Sequence, residues 1–196
     1  MLAFAAALFG LICGSFLNVL VLRRGAMSMS GRSACFSCGA QIHWYDNVPV
    51  LSWILLGGRC RACKCAISVQ YPLVEILTAL LFATAAYGLE KDIFAVTPFD
   101  LSMLILHMLF IGVLVAIAVY DMRHTIIPDA WAYTAAALAL GITLVARPES
   151  ALITLLAGPA TALPLFAMWF VSKGRWMGLG DSKLALCIGF FLGPLF

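Results

Sequence analysis

Charge is what this sequence has least of. Of 196 residues, 12 are Lys or Arg and 9 are Asp or Glu, 11% in all, where an ordinary soluble domain carries about 25%. Nine carboxylates can neither solvate a globular surface nor keep a chain of this length disordered. A formal charge of +3 is too small for the basic footprint of a nucleic-acid binder, so nucleic acid is excluded as a partner. No basic residue precedes the first hydrophobic run, and Arg23 and Arg24 follow it directly, the reverse of a cleaved secretory signal. No repeat, linker or low-complexity tract is evident. What is present in excess is apolar, 64% of the chain, and its natural solvent is a bilayer.

Runs with little or no charge extend over Leu2–Leu22, Leu73–Leu89, Leu101–Tyr120, Ala130–Ala146 and Ala151–Val171, each close to the ~20 residues that cross the hydrocarbon core as a helix. A sixth run, Leu184–Phe196, has 13 residues and is expected to be a helix cut short. Alternating the five spans puts positions 23–72, 121–129 and 172–183 on one side. That side carries ten of the twelve basic residues, and Lys91 and Arg147 lie on the other. The positive-inside rule then makes the first side cytoplasmic and leaves the N-terminus outside. The expected fold is an all-α polytopic membrane protein of five full transmembrane helices plus a truncated sixth, with membrane lipid as its surroundings. Residues 1–22 form the first helix, 23–72 a cytoplasmic Cys-rich insertion and 73–196 the main membrane domain.

The insertion holds Cys35-Phe36-Ser37-Cys38, then 21 residues, then Cys60-Arg61-Ala62-Cys63. Two Cys-x-x-Cys knuckles supply four thiolates, the donor set of a structural tetrahedral zinc site. A reducing cytoplasm argues against disulfides, and Arg59, Arg61 and Lys64 favour thiolate over thiol. Cys35, Cys38 and Cys60 are three ligands; the fourth is Cys63 or its neighbour Cys65. Cys13 and Cys187 lie in apolar runs, where cysteine behaves as a small hydrophobe. The run Val48–Leu56 is too short to cross a membrane and is expected to pack on the knuckles or lie at the interface. His43 reads as a surface residue.

Two acidic positions stand at span ends. The third span closes on Asp121, and Pro128-Asp129 then suits the start of a new helix. After the fifth span comes Gly178-Leu179-Gly180-Asp181-Ser182-Lys183, with Asp181 opening the sixth helix at the depth of Asp121. Gly178 and Gly180 allow a bend or a close backbone approach. Carboxylates at the margin of an apolar bundle are costly unless paired, hydrated or functional. Two at one depth can share a proton and act as acid and base on a peptide bond; taken singly, each is a solvated helix-end charge.

These residues resemble the type IV prepilin peptidases, membrane aspartic peptidases of the GxGD class that are often bifunctional N-methyltransferases. The resemblance is carried by Gly14-Ser15-Phe16-Leu17-Asn18-Val19, by Asp46-Asn47-Val48-Pro49-Val50-Leu51-Ser52-Trp53, by Gly58-Arg59-Cys60-Arg61-Ala62-Cys63 and by Tyr71-Pro72-Leu73-Val74-Glu75. The turn from Asp121 to Pro128-Asp129 and the Gly178-Leu179-Gly180-Asp181 motif with Lys183 complete it. It implies that Asp121 and Asp181 are the catalytic pair, with Asp129, Gly178, Gly180 and Lys183 in support. The implied substrates are type IV prepilin or type II secretion pseudopilin precursors with a basic cytoplasmic leader. S-adenosylmethionine is implied as methyl donor, with zinc a closed scaffold. Further hydrophobic segments are implied after the GxGD helix, so region 73–196 is expected to be C-terminally incomplete.

Because the leader and the cytoplasmic loops are both basic, docking is expected to use the substrate's apolar helix and acidic groups such as Asp46 and Glu75. Two rival readings are an inactive truncated relative, and a zinc-stabilised scaffold or transporter-like subunit in which His107, Glu75 and the aspartates line a polar path. The tryptophans read mostly as interfacial anchors.

Overall fold

A computed structural model of the chain describes residues 1–23, 33–89 and 96–193. Arg24, Arg32 and Lys91, which enter the expected orientation, and the last three residues of the sixth run lie outside the described residues. Seven helices are formed among the described residues: α1 (Leu2–Arg23), α2 (Leu51–Leu55), α3 (Gln70–Tyr87), α4 (Pro98–His124), α5 (Asp129–Ala146), α6 (Ala151–Ser172) and α7 (Leu179–Leu192). They fall into two units, Met1–Val96 and Thr97–Phe196. The division comes after α3 rather than before it, because α3 is packed along α1.

That packing is antiparallel and close. A Cβ on Gly10 would come within 2.6 Å of the Ala79 Cα, and one on Gly14 within 2.7 Å of the Glu75 Cα. One rung further along, Asn18 Nδ2 donates to the Tyr71 carbonyl at 3.2 Å. The rungs 10/79, 14/75 and 18/71 repeat every four residues, so a single face of each helix makes the whole contact. Small residues that let two backbones meet are a main source of helix association in lipid, where burial of apolar surface gives no drive. Ala6, Val21, Thr78, Phe82 and Ala86 fill the rest of this seam and are buried.

Four helices among the described residues are long and apolar enough to cross a membrane: Leu2–Leu22, Pro98–His124, Asp129–Ala146 and the stretch Pro148–Ser172. The helix α3 does not qualify by composition, since Gln70, Tyr71 and Glu75 fall in its first two turns. Its pairing with α1 over three rungs keeps it beside a membrane-spanning helix.

In the second unit, α4 opens on a capping box in which Thr97 and Asp100 satisfy each other's backbone N–H, with Pro98 in the first turn. It closes at Thr125 in the left-handed conformation, and α5 begins one residue after Pro128. The inner face of α5 is a stripe of Ala132, Ala135, Ala136, Ala139, Ile142 and Thr143, at helical spacing. Its small side chains bring it close to Met103, Phe110 and Ile117 of α4 and to Cys187 of α7, which is fully buried. Cys187 is thus the small core hydrophobe expected. The α6–α7 contact again uses glycine: Gly158 lies against Phe190, Gly189 against Thr161 and Ala157, and Gly193 against Ala157. Thr161 Oγ1 donates to the Ala185 carbonyl at 2.8 Å, and Ser182 Oγ to the Ala162 carbonyl at 3.1 Å.

Gly14→Val is expected to destabilise the first unit by about 1–3 kcal/mol through overpacking, whereas Gly112→Ala, with open space around its Cα, should be neutral or slightly stabilising. Reversible unfolding in mixed detergent micelles measures both, and equal effects would exclude the close-seam account.

Candidate metal centre and aspartate site

The two knuckles share one backbone pattern, displaced by 25 positions. In the first, Cys35 N donates to Ala40 O at 2.9 Å and Gly39 N to Cys35 O at 2.9 Å; in the second, Cys60 N donates to Cys65 O at 2.9 Å and Lys64 N to Cys60 O at 3.0 Å. Each is closed by an antiparallel bridge, Ala34 with Gln41 and Arg59 with Ala66. Each turns through a left-handed residue, Gly39 at φ 70° and Lys64 at φ 60°. The pattern aims backbone N–H groups at the first sulfur of each knuckle. The N–H groups of Cys38 and Ser37 lower the Cys35 thiol to about 6, and those of Cys63 and Ala62 lower that of Cys60.

The sulfurs of Cys35, Cys38, Cys60 and Cys63 all lie within 4.8 Å of one another, with Cys35 and Cys63 at 3.8 Å. Four sulfurs at ~2.3 Å from one centre stand about 3.8 Å apart, so the group could hold a metal ion. Cys65, the alternative fourth ligand, has its sulfur 3.4 Å from Cys35. Its backbone N–H is directed at the Cys63 sulfur, the same service Cys38 gives Cys35. Ser37 favours the Cys65 thiolate, but the Cys63 and Cys35 sulfurs and burial outweigh it and push Cys65 up to about 11. Geometry therefore groups Cys63 with the other three.

The rest of the insertion is fastened around these knuckles. Arg61 donates twice to Asp46, at 2.8 and 2.6 Å, holding the Asp46 carboxyl below its ordinary range, and lies over the Tyr45 ring at 5.6 Å. Tyr45 stacks on the exposed His43 at 5.1 Å. Trp53 covers Gly58 and donates from Nε1 to Ile67 O at 3.2 Å, so the 48–56 run does pack against the second knuckle.

Asp46 and Glu75 are not free to dock a basic leader, which corrects the expectation for both. The Asp46 side chain is 8% exposed and paired with Arg61. Glu75 is buried, accepts Val50 N at 2.7 Å and is bonded by the Ser15 hydroxyl. Glu75 is the residue whose role sequence reasoning missed; the signal was a lone acid inside an apolar helix. His107 also serves internally, its Nδ1 lying 2.7 Å from Met103 O.

In the second unit, Asp121 stands exposed on the last turn of α4 and Asp181 exposed on the first turn of α7. Both border the turn 125–128: the Asp121 carbonyl accepts Thr125 N at 2.7 Å, and Ile127 packs on Gly180, where a Cβ would fall 2.8 Å from its own. No side-chain hydrogen bond joins the two aspartates among the described residues. The residues brought into direct contact are Lys183 and Asp129, at 2.5 Å. Lys183 also lies over the Tyr133 ring at 5.4 Å, so its charge is held at the start of α5. Ser172 organises the turn before Gly178, its carbonyl accepting Arg175 Nε at 3.2 Å. Tyr120 lies tilted against His124 at 4.3 Å and edge-on to Trp131 at 5.5 Å, an aromatic cluster between the end of α4 and the start of α5 that the motifs did not signal.

Fold and site define a multi-pass, all-helical membrane protein with a four-cysteine centre in one unit and an aspartate-bearing helical rim in the other. Residues 8–89 match the Bacterial Peptidase A24 N-terminal domain and residues 108–196 the Type IV leader peptidase family. The chain is 36% identical over 202 residues to a prepilin leader peptidase/N-methyltransferase of Myxococcus xanthus, covering 96% of this chain and 56% of that protein. It is 32% identical over 214 residues to a type 4 prepilin-like proteins leader peptide-processing enzyme of Escherichia coli, covering 95% and 75%, and 32% identical over 211 residues to a Pseudomonas aeruginosa prepilin leader peptidase/N-methyltransferase, covering 93% and 70%. It thus spans little more than half of the first relative and about three quarters of the second. No solved structure matches. The chain belongs to the type IV leader peptidase family.

Cys63→Ser is expected to abolish stoichiometric metal retention by the purified full chain and Cys65→Ser to leave it intact, as measured by elemental analysis. The opposite ranking would move the fourth ligand to Cys65.

Proposed function

We propose that the chain is a membrane aspartic endopeptidase that removes the basic leader of type IV prepilin or type II secretion pseudopilin precursors at the cytoplasmic face of the bacterial inner membrane. The observation that carries this reading is the pair Asp121 and Asp181, exposed at two helix ends that border one turn, within the unit matched to the Type IV leader peptidase family. The positive-inside bias supports the orientation. A leader in water joined to an apolar helix in lipid places its scissile bond at this level.

The chemistry needs one carboxylate and one carboxylic acid. The carboxylate takes a proton from water as its oxygen attacks the scissile carbonyl carbon, and the acid gives its proton to the carbonyl oxygen. Collapse of the tetrahedral intermediate breaks the C–N bond, and the leaving amine takes up a proton from the pair. Asp129 and Lys183 neutralise one another and hold α5 to α7. Gly178 and Gly180 leave the backbone on either side of Leu179 without side chains, and Ile127 occupies the space a side chain on Gly180 would need. With Asp46 and Glu75 engaged internally, Asp121 and Asp181 remain as exposed carboxylates to meet a basic leader, and the substrate's apolar helix supplies the rest of the docking.

Cys35, Cys38, Cys60 and Cys63 would hold zinc, which would supply only cross-linking, since four thiolates leave no open coordination position. A second activity is supported by the names of the relatives, which are leader peptidase/N-methyltransferases. S-adenosylmethionine, when bound, would supply a methyl group to the amine exposed by cleavage.

Asp121→Asn and Asp181→Asn should each lower processing by at least about a thousandfold, as expected for members of one catalytic unit, with the double variant no worse than either. Leader removal from a co-expressed precursor, followed by gel shift and N-terminal mass spectrometry, provides the measurement. Processing that persists in either variant excludes the pair.

A further inference from the structure

The stretch 47–58, between Asp46 and Arg59, contains no charged residue over its 12 positions, and within it α2 presents Leu51, Ile54 and Leu55 at 59%, 60% and 85% exposure. They occupy positions i, i+3 and i+4, one side of a helical turn. The other side is used by the module: Ser52 Oγ donates to Tyr45 O at 2.8 Å and Trp53 is fixed on Gly58 and Ile67. An uncharged run of this length, too short to span, is characteristic of a re-entrant or interfacial segment.

The depth of this stretch follows from one hydrogen bond. Val50 N donates to Glu75 Oε2 at 2.7 Å, and Glu75 sits on the rung of Gly14, nine residues before the end of α1 at Arg23. At 1.5 Å per residue that rung lies about 13 Å below Arg23. The Glu75 side chain leans back toward the start of α3 and recovers only part of this distance. Val50 is therefore held well inside the level at which α1 leaves the membrane. Non-helical backbone survives at such depth only where its polar groups are met by protein. Those around the turn are: Leu51 N donates to Pro49 O at 2.6 Å, Ser52 N to Val48 O at 3.1 Å and Ile54 N to Val50 O at 3.0 Å, and Pro49 has no N–H to satisfy. Val50 itself adopts φ 60°, ψ −52°, a rare turn for a β-branched residue, which the Glu75 bond holds in place.

We propose that residues 47–58 dip into the bilayer from the side of the Cys module, with Leu51, Ile54 and Leu55 against acyl chains, so that the module is seated in the membrane surface rather than carried on a loop in water. The occupant of the exposed face is lipid. The inference depends on the membrane placement of α1 and is independent of the peptidase reading.

Leu55→Trp in the full chain, reconstituted in phosphatidylcholine nanodiscs without any substrate, tests it, with Ile54→Trp as a second reporter at another position of the same face. The fluorescence each variant adds to wild type is expected to be blue-shifted, quenched by phosphatidylcholine brominated near the top of the acyl chain and insensitive to aqueous iodide. Quenching by iodide without quenching by brominated lipid would overturn the proposal. Insensitivity to both quenchers would also overturn it, showing the face covered by protein. Iodide protection that arises only on adding a prepilin-like apolar peptide would assign the face to substrate and equally overturn it.

Discussion

The approach of α1 to α3 across Gly10 and Gly14 governs the first unit. With no side chain at these positions, the two backbones come close enough for Asn18 to bond the Tyr71 carbonyl and for Ser15 to bond Glu75. Glu75 then presents its other bond to Val50, and the insertion is tied to the helix pair at that point. A larger residue at Gly14 would push Glu75 away from both partners. Packing in lipid thus sets the position of a module that lies largely outside the spans, because a buried carboxylate must find its donors wherever the chain can supply them.

The second unit solves a related problem with different parts. Its rim has to hold carboxylates in water at the edge of an apolar bundle, and it does so by making every one a helix-end residue: Asp121 on the last turn of α4, Asp129 on the first turn of α5, Asp181 on the first turn of α7. The two first-turn acids are favoured by the helix dipole. Among the described residues Lys183 takes Asp129 as its partner and Asp181 forms no ion pair, although the two acids of neighbouring helices have similar local settings.

Much of this was legible in the residues themselves. Uncharged runs located α1, α4, α5 and α6 because hydrocarbon tolerates little else, and the Cys-x-x-Cys spacing located the four-cysteine group because a knuckle is a local structure. The capping and turn residues placed Asp121 and Asp181 at helix ends. What was not legible depended on partners distant in sequence. Nothing near Asp46 announces Arg61 as its partner, and nothing near Glu75 announces Val50; both acids consequently read as free docking groups when they are fasteners. The grouping of Cys63, rather than Cys65, with the other three sulfurs likewise needed their positions in space, which spacing does not contain. The helix α3 shows the converse: its composition is marginal, and its place comes from a neighbour.

The displacement of the two knuckles by 25 positions has a consequence for assembly on the ribosome. Cys63 follows Cys35 by 28 residues and precedes Gln70, where α3 starts. During vectorial synthesis all four sulfurs have been made before α3, so the knuckle turns, whose backbone hydrogen bonds are local, can form while α1 is the span that precedes them. The bond from Val50 to Glu75 can form only once α3 has been made and lies beside α1. A chain whose turn at Val50 is still unformed when α3 arrives would leave the buried Glu75 without that donor.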